Sequence, residues 1–171
     1  MNSQRSPHLP RCSSSRITTP LVAVSLPGWT PKVWCKLEYL NPSGSTKDRI
    51  ARYILTKAIR QRELLPSGVV VEASSGSTSI AMALACAQLG LTFVAVMPEG
   101  VSKERVMMIR AYGAEVELTP KPEGISGAIK RAENISANRD AYWPRQFSNI
   151  DNANAHRNET AQEILGQIDT D

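Results

Sequence analysis

A lysine suited to carbonyl chemistry stands at position 47, directly after the turn cluster Asn41-Pro42-Ser43-Gly44-Ser45. Apolar residues every four positions predict a helix over about 46–62, so Lys47 falls in its first turn. The partial positive charge of a helix N-terminus disfavours an ammonium group and favours the neutral amine, above all in a desolvated site. A neutral amine attacks carbonyl carbon, which makes Lys47 a Schiff-base candidate; the alternative is a solvated surface lysine.

Two other lysine motifs are excluded by the neighbouring residues. A phosphate-binding loop of the form G-x-x-x-x-G-K-[ST] needs Ser or Thr after the lysine, and Asp48 stands there. An S-x-x-K nucleophile needs a serine at position 44, which is Gly44.

A second candidate segment, Ser74-Ser75-Gly76-Ser77-Thr78-Ser79, joins a predicted buried strand over 69–73 to a predicted helix over 79–89. Main-chain N–H groups at a helix start, together with hydroxyl groups, can converge on a carboxylate or phosphate. In open α/β sheets, ligands bind at this end of the strands. The alternative is an ordinary turn in which Ser and Thr cap the helix.

A third segment, Gln146-Phe147-Ser148-Asn149, carries amides that could bind a polar ligand, with Asn152 and His156 downstream. An exposed Asn-rich loop without a ligand is the alternative for this segment.

The elements that position these segments alternate between strand and helix. Strands are predicted over 69–73, 91–97 and 114–118, and helices over 79–89, after Ser102, over 125–138 and over 154–168. Such alternation predicts right-handed βαβ units. We therefore expect an α/β fold with a doubly wound, mainly parallel sheet and helices on both faces.

The amino-acid composition excludes several classes of protein and of binding partner. The 171 residues are 42% hydrophobic and 21% charged, which excludes disorder throughout, collagen and coiled coil. No apolar run approaches the roughly 20 residues that a membrane helix needs, so no membrane partner is expected. The net charge is +4, but the basic residues alternate with acids and only nine aromatics occur (Trp 3, Tyr 4, Phe 2), so no nucleic-acid partner is expected either.

The cysteines Cys12, Cys35 and Cys86 form no C-x-x-C pair and combine with the two histidines at no usual metal-ligand spacing, so no metal site is predicted. Free thiols are typical of a reducing compartment, and we expect a cytoplasmic protein. Residues 1–16 are rich in Ser and Arg and contain no acid or apolar segment. They are predicted to be a disordered tail, with an organelle transit peptide as the alternative.

Together the three segments resemble one family, the cysteine synthase and cystathionine β-synthase family of pyridoxal-phosphate enzymes, of the tryptophan-synthase-β fold type. The resemblance begins at Thr19-Pro20-Leu21-Val22 and covers about nine tenths of the chain. Its further matches are Lys36-Leu37-Glu38, Ser45-Thr46-Lys47-Asp48-Arg49, Met97-Pro98-Glu99, Tyr112-Gly113-Ala114-Glu115 and Gln146-Phe147.

The resemblance implies roles for individual residues. Lys47 would be the catalytic residue and would hold the cofactor, pyridoxal 5'-phosphate, as a Schiff base. Residues Glu72–Ser79 look like the family's E-P-T-S-G-N-T-G loop, so Ser74, Ser75, Gly76 and Thr78 would bind the substrate carboxylate, as would Gln146. Ser77 would contact the cofactor's phenolic oxygen, with a shorter reach than the family's Asn. Further departures are Ala73 for Pro, Ser74 for Thr, Ser79 for Gly and Ala161 in place of the Gly of the usual T-G.

The resemblance also implies a division of the chain within a two-domain, fold type II enzyme. Residues 17–40 would be the first strands of a large domain, 41–145 a small α/β domain, and 146–171 the start of the return to the large domain. The family's phosphate-binding loop follows a further strand that this sequence does not include, so we expect a chain truncated at its C-terminus.

The function implied is β-replacement on serine or an O-activated serine, which makes cysteine or a thioether. The alternatives are a lyase of the same fold, either a serine/threonine dehydratase or a cysteine desulfhydrase, and a catalytically inactive fragment. The expected partner is a small amino-acid substrate, and the resemblance also allows a homodimer.

Overall fold

The computed structural model describes residues 18–168, and the tail predicted for residues 1–16 lies outside this range. The strands are β1 (Leu21–Val24), β2 (Val33–Lys36), β3 (Val69–Ala73), β4 (Thr92–Pro98) and β5 (Glu115–Thr119). The helices are α1 (Lys47–Gln61), α2 (Ser77–Leu89), α3 (Lys103–Ala111), α4 (Gly124–Arg139), α5 (Ile150–Ala155) and α6 (Ala161–Gln167).

A parallel sheet in the order β3-β4-β5 forms the centre of the fold. Its strands consist largely of Val and Ala because both of their faces are covered. Tyr142 extends the sheet beyond β3: its N–H donates to Val69 O at 2.8 Å, and its carbonyl accepts from Val71 N at 3.0 Å. The bridge brings the segment that precedes Gln146 alongside β3.

Helices cover both faces of this sheet. Residues from α1, α2 and α3 form one buried cluster against it, which includes Leu55, Met82 and Ile109. Helix α4 forms the other, where Ala128 and Ala132 pack on alternate residues of β3 and β4. The predicted parallel sheet with helices on both faces is therefore confirmed.

Strands β1 and β2 form a separate antiparallel hairpin in which Leu21 pairs with Lys36. Ionic contacts attach this hairpin to α1 and α6: Lys36 pairs with Glu163, and Glu38, just after β2, pairs with Arg49. The division of the chain into large-domain and small-domain parts stays a prediction.

Helix boundaries agree with the periodicity at α1, which spans Lys47–Gln61 within the predicted 46–62. Helix α2 begins two residues earlier than predicted, with Gly76 at its N-cap, because Ser77 and Thr78 lie within its first turn. The helical stretch predicted from 154 begins at Ile150, because the side chain of Asn149 accepts from Asp151 N at 2.8 Å and caps it. This stretch runs through a π-helical turn, His156–Thr160, into α6.

Within residues 18–168, none of the helices combines the length and the apolar character that crossing a bilayer requires.

Candidate active site

Lys47 is the first residue of α1, as the sequence predicts. The turn before it is fixed by Asp48, whose carboxylate accepts from Ser43 N at 3.1 Å and from the Ser43 hydroxyl. A carboxylate in the first turn also complements the positive end of the helix dipole. These contacts hold the start of α1, and with it Lys47, in one conformation.

The Lys47 side chain is half-buried, and among residues 18–168 its amine takes part in no hydrogen bond or ion pair. Its charge acts on His156: burial lowers the pKa of the His156 imidazole, and the nearby positive charges of Lys47 and Arg49 lower it further. His156 begins the π-helical turn, and its Nδ1 lies 3.0 Å from Thr160 Oγ1. The amine of Lys47 is therefore available for chemistry, in an electropositive surrounding.

The hydroxyl-rich loop divides into buried and exposed residues. Ser74 is buried, and its hydroxyl accepts from Gly76 N at 3.1 Å, which fixes the turn. Ser75 and Ser77 are exposed. The backbone N–H groups of Ser75, Ser77 and Thr78 donate to no acceptor among the described residues. A row of free N–H groups at the start of a 13-residue helix is a site for an anion.

Arg105 packs against this loop from α3. Its Nη1 donates to the Ser75 carbonyl at 3.2 Å. A Cβ at position 76 would stand 3.0 Å from the Arg105 guanidinium, so Gly76 allows the close approach. The guanidinium adds positive charge at the point where the free N–H groups would hold an anion.

Gln146 connects the third segment to the loop. Its Oε1 accepts from Thr78 Oγ1 at 2.6 Å, and its Nε2 donates to the Ala73 carbonyl at 2.7 Å. Gln146 is 8% exposed and Thr78 is 4% exposed, so these bonds are shielded from water. The structure thus brings together two predicted site residues that lie 68 positions apart.

A short path leads from Gln146 to Lys47. Asn152 Nδ2 donates to the Gln146 carbonyl at 3.0 Å. His156 follows Asn152 by four positions along the same helical stretch, so the two lie on one face. Helix α1, which begins at Lys47, packs against both α2 and α5, so the three candidate segments lie on or beside neighbouring elements.

The amides of Asn149 and Asn152 bind backbone groups of the chain itself. The Nδ2 of Asn149 donates to the Pro144 carbonyl at 2.8 Å, and its Oδ1 caps α5. With the Asn152 bond to Gln146, these amide groups support the chain's own backbone, and a role for them in ligand binding stays a prediction.

Two further residues at the site, Glu72 and Arg105, have no role predicted from the sequence. Glu72 is 1% exposed and holds the Gln146 segment through its carboxylate. Its signal is present in the sequence as a single acid within a run of valines. Arg105 has no such signal, because its approach to Gly76 depends on how α3 packs beside α2.

The donor set can be compared with the cofactor that the resemblance implies. A lysine amine without a partner, free N–H groups at a helix start and the exposed Ser77 hydroxyl suit an anionic compound that carries a carbonyl group. Ser79 stands in the first turn of α2 beside them, and its buried hydroxyl oxygen has no hydrogen-bond partner among residues 18–168. Lys47 and Ser77 are thus residues that could hold such a cofactor.

The chain is an α/β fold with a parallel sheet, with a lysine at the start of one helix and a hydroxyl-rich loop at the start of the next. The sequence family of pyridoxal-phosphate dependent enzymes matches residues 13–171. The chain belongs to this family.

Similarity to individual proteins supports the same family assignment. The chain is similar to cysteine synthase B of Campylobacter jejuni, at 46% identity over 140 residues, which cover 81% of this chain and 47% of the relative. It resembles the crystal structure of an O-acetylserine dependent cystathionine β-synthase from Helicobacter pylori, with a TM-score of 0.82, 35% identity and coverage of 88% and 51%. A hydrogen sulfide-producing enzyme from Fusobacterium nucleatum gives a TM-score of 0.80, 38% identity and coverage of 86% and 50%. The structural neighbours are fold type II enzymes, and the chain spans about half the length of the relatives it matches.

Proposed function

We propose that this chain supplies the amino-acid-binding half of a pyridoxal-phosphate dependent enzyme that carries out β-replacement on serine or an O-activated serine. The observation that carries the proposal is the buried contact of Thr78 with Gln146, on elements that pack against the helix that begins at Lys47. Similarity to cysteine synthase B and to the cystathionine β-synthase supports the choice of reaction.

Pyridoxal phosphate, when bound, supplies an electron sink for the pair released from a Cα–H bond. Among the described residues, Lys47 would hold the cofactor through its amine. Ser77 would donate its hydroxyl to the phenolic oxygen.

The residues of the chain would divide the remaining work. The free N–H groups of Ser75 and Thr78 would bind the substrate carboxylate, with Gln146 against the loop from the other side. Holding the carboxylate at this point orients the Cα–H bond, which is a positioning role. Once the substrate amino group has taken its place on the cofactor, the freed Lys47 Nζ would accept the Cα proton. The β-substituent would leave with its bonding pair, and a thiolate or hydrosulfide would add to Cβ. The proton would then return from Nζ to Cα.

Replacement of Lys47 by Ala tests the assignment. We expect pyridoxal phosphate to give the purified protein a visible absorbance band that Lys47→Ala lacks, because Lys47 would supply the amine that holds the cofactor. Lys103 offers a matched control, since it is also the first residue of a helix but is exposed. Lys103→Ala should keep the band, and a band of unchanged strength in Lys47→Ala would refute the role of Lys47.

A second candidate reaction is release of sulfide from cysteine by a lyase. The observation in its favour is Ser77, which stands where the resemblance places an Asn and thus alters the contact to the cofactor. The similarity to a hydrogen sulfide-producing enzyme supports it. Sulfide incorporation into O-acetyl-L-serine, measured against pyruvate release from L-cysteine, would separate the two reactions. Ser77→Asn should shift the ratio toward incorporation if Ser77 sets the choice.

We also propose a cytoplasmic location, which the free thiols of Cys35 and Cys86 support. The homodimer allowed by the resemblance stays a prediction, and sedimentation of the purified protein would check it.

A further inference from the structure

The Glu72 carboxylate lies in the interior at the end of β3 and receives three N–H donors. Its Oε1 accepts from Ala73 N at 2.9 Å and from the Trp143 indole Nε1 at 3.2 Å. Its Oε2 accepts from Gln146 N at 3.0 Å. One carboxylate thus binds the start of the loop and the backbone of the residue that closes it.

The carboxylate and the Gln146 side chain form two parallel connections between the same segments. The Gln146 Nε2 donates to the carbonyl of Ala73, and the Ala73 N–H donates to Glu72. The Gln146 Oε1 accepts from Thr78, in the first turn of α2. Removing the Glu72 charge would free the Gln146 backbone, and with it the side chain that contacts Thr78.

We infer that Glu72 is a positioning residue, which fixes Gln146 against the loop over residues 74–78 and thereby sets how well this site holds a substrate carboxylate. The first half of this inference concerns the chain alone. The second half rests on the proposed function.

No cation compensates the Glu72 charge among the described residues, since Glu72 forms none of their ion pairs. Burial raises the pKa of Glu72 to about 7, although the N–H donors of Gln146, Ala73 and Trp143 act in the opposite direction. The connection between the two segments therefore changes its charge near neutral pH.

The elements around Glu72 contribute few groups that titrate. Helix α2 and strand β4 carry no Asp, Glu, Lys, Arg or His. The charged residues of α4 are exposed: Lys130, Arg131, Glu133 and Arg139. Burial raises the pKa of Tyr142 to about 12, and the guanidinium of Arg145 lies over the Trp143 ring, 5.2 Å from its centroid.

An NMR titration of the full chain tests the first half without cofactor or substrate. We expect the indole N–H of Trp143 and the backbone N–H groups of Ala73 and Gln146 to shift with one shared midpoint, because all three donate to one carboxylate. Trp143→Phe identifies the indole signal among those of the three tryptophans. Separate midpoints, or a Gln146 N–H that does not titrate, would overturn the inference.

Glu72→Gln supplies the matching variant, because the amide keeps the shape but turns one acceptor into a donor facing another donor. We expect the shared titration to disappear. Glu115→Gln is the control, since Glu115 lies in β5 of the same sheet but is exposed, and it should leave the titration unchanged. If Glu72→Gln does not fold, Trp143→Phe decides: losing a donor to the charged form should raise the midpoint of the other two N–H groups, and an unmoved midpoint counts against the inference.

The second half is measured on protein loaded with pyridoxal phosphate. With O-acetyl-L-serine we expect Glu72→Gln to raise KM about 10-fold and to change kcat much less, because the loss falls on carboxylate binding. An unchanged KM, or a loss in kcat alone, would overturn the positioning role in substrate binding. Wild-type protein that shows the shared titration but gives no visible absorbance band with pyridoxal phosphate would overturn the proposed function and leave the first half standing.

Discussion

Two carboxylates of this molecule, the partly buried Glu38 and the fully buried Glu72, have different partners. Burial alone would raise the pKa of Glu38, but hydrogen bonds from Arg49 and Thr19 and the Arg49 charge hold it at about 2. Within the described part of the chain, Glu72 accepts hydrogen bonds from N–H groups alone, and burial raises its pKa to about 7. A neighbouring cation therefore decides whether a buried carboxylate keeps its charge.

Glu38 and Glu72 have different roles in the structure. Glu38 belongs to a network with Arg49, Glu163 and Lys36 in which the charges balance and which joins the hairpin, α1 and α6. Glu72 connects the candidate carboxylate-binding loop to Gln146 and carries an uncompensated charge. The first arrangement holds elements together over the whole neutral range, whereas the second responds to pH within it.

Removal of the Arg49 guanidinium should have the largest effect on stability. Arg49 is 4% exposed, and Arg49→Met would leave the partly buried carboxylates of Glu38 and Glu163 without the guanidinium that they share. We expect a loss of about 3–5 kcal/mol in the free energy of unfolding, measured by urea denaturation. Arg49→Lys keeps the charge but not the bidentate contact with Glu38, and its stability should decrease less. Equal losses in the two variants would show that geometry rather than charge stabilises the network.

The pH dependence of stability should show the opposite signs of the two shifts. The pKa of Glu38 is lowered from 4.5 to about 2, so its contribution is present above pH 4.5 and is lost as the pH falls toward 2. The pKa of Glu72 is raised from 4.5 to about 7, so the folded state binds the extra proton and loses stability as the pH rises from 4.5 to 7.

Glu72→Gln should remove the decrease in the free energy of unfolding above pH 4.5, which is on the order of 3 kcal/mol. The decrease at acid pH, which belongs to Glu38, should remain. Urea denaturation of both proteins across this range measures the difference. Parallel curves for wild type and variant would contradict the shifted titration of Glu72.

The smallest effect is expected for Trp143→Phe, which deletes one donor and keeps an aromatic ring at the position. We expect a loss of about 1 kcal/mol in the free energy of unfolding at pH 8, where Glu72 is charged, and a smaller loss at pH 5.5. A loss that is independent of pH would mean that Trp143 contributes by packing alone.

Much of the fold was predictable because its signals are local. The valine run of β3 and the four-residue spacing of Ile50, Ile54 and Ala58 gave a strand and a helix at their observed places. The end of α2 at Gly90 follows from a left-handed conformation, φ 69°, that glycine adopts without strain. The beginning of α5 was missed, because the cap at Asn149 resembles any other polar residue in an Asn-rich segment.

At the site, the sequence indicated the three segments but not how they meet. Thr78 and Gln146 could be named as candidates, whereas their mutual hydrogen bond depends on the segment around Tyr142 lying beside β3. Neither the contact of Arg105 with Gly76 nor the use of the Asn152 amide by the backbone has a periodic signature, since both arise from packing between elements.

The sequence by itself determined the strand–helix alternation, the helix start at Lys47 and the hydroxyl loop, because each depends on neighbours within a few positions. The tertiary structure decided the state of the buried charges. Arg49 and Glu163 lie 114 positions apart and Glu72 and Gln146 lie 74 apart. Whether a carboxylate meets a cation or only N–H groups depends on which distant segments the fold brings to it, and this sets its charge.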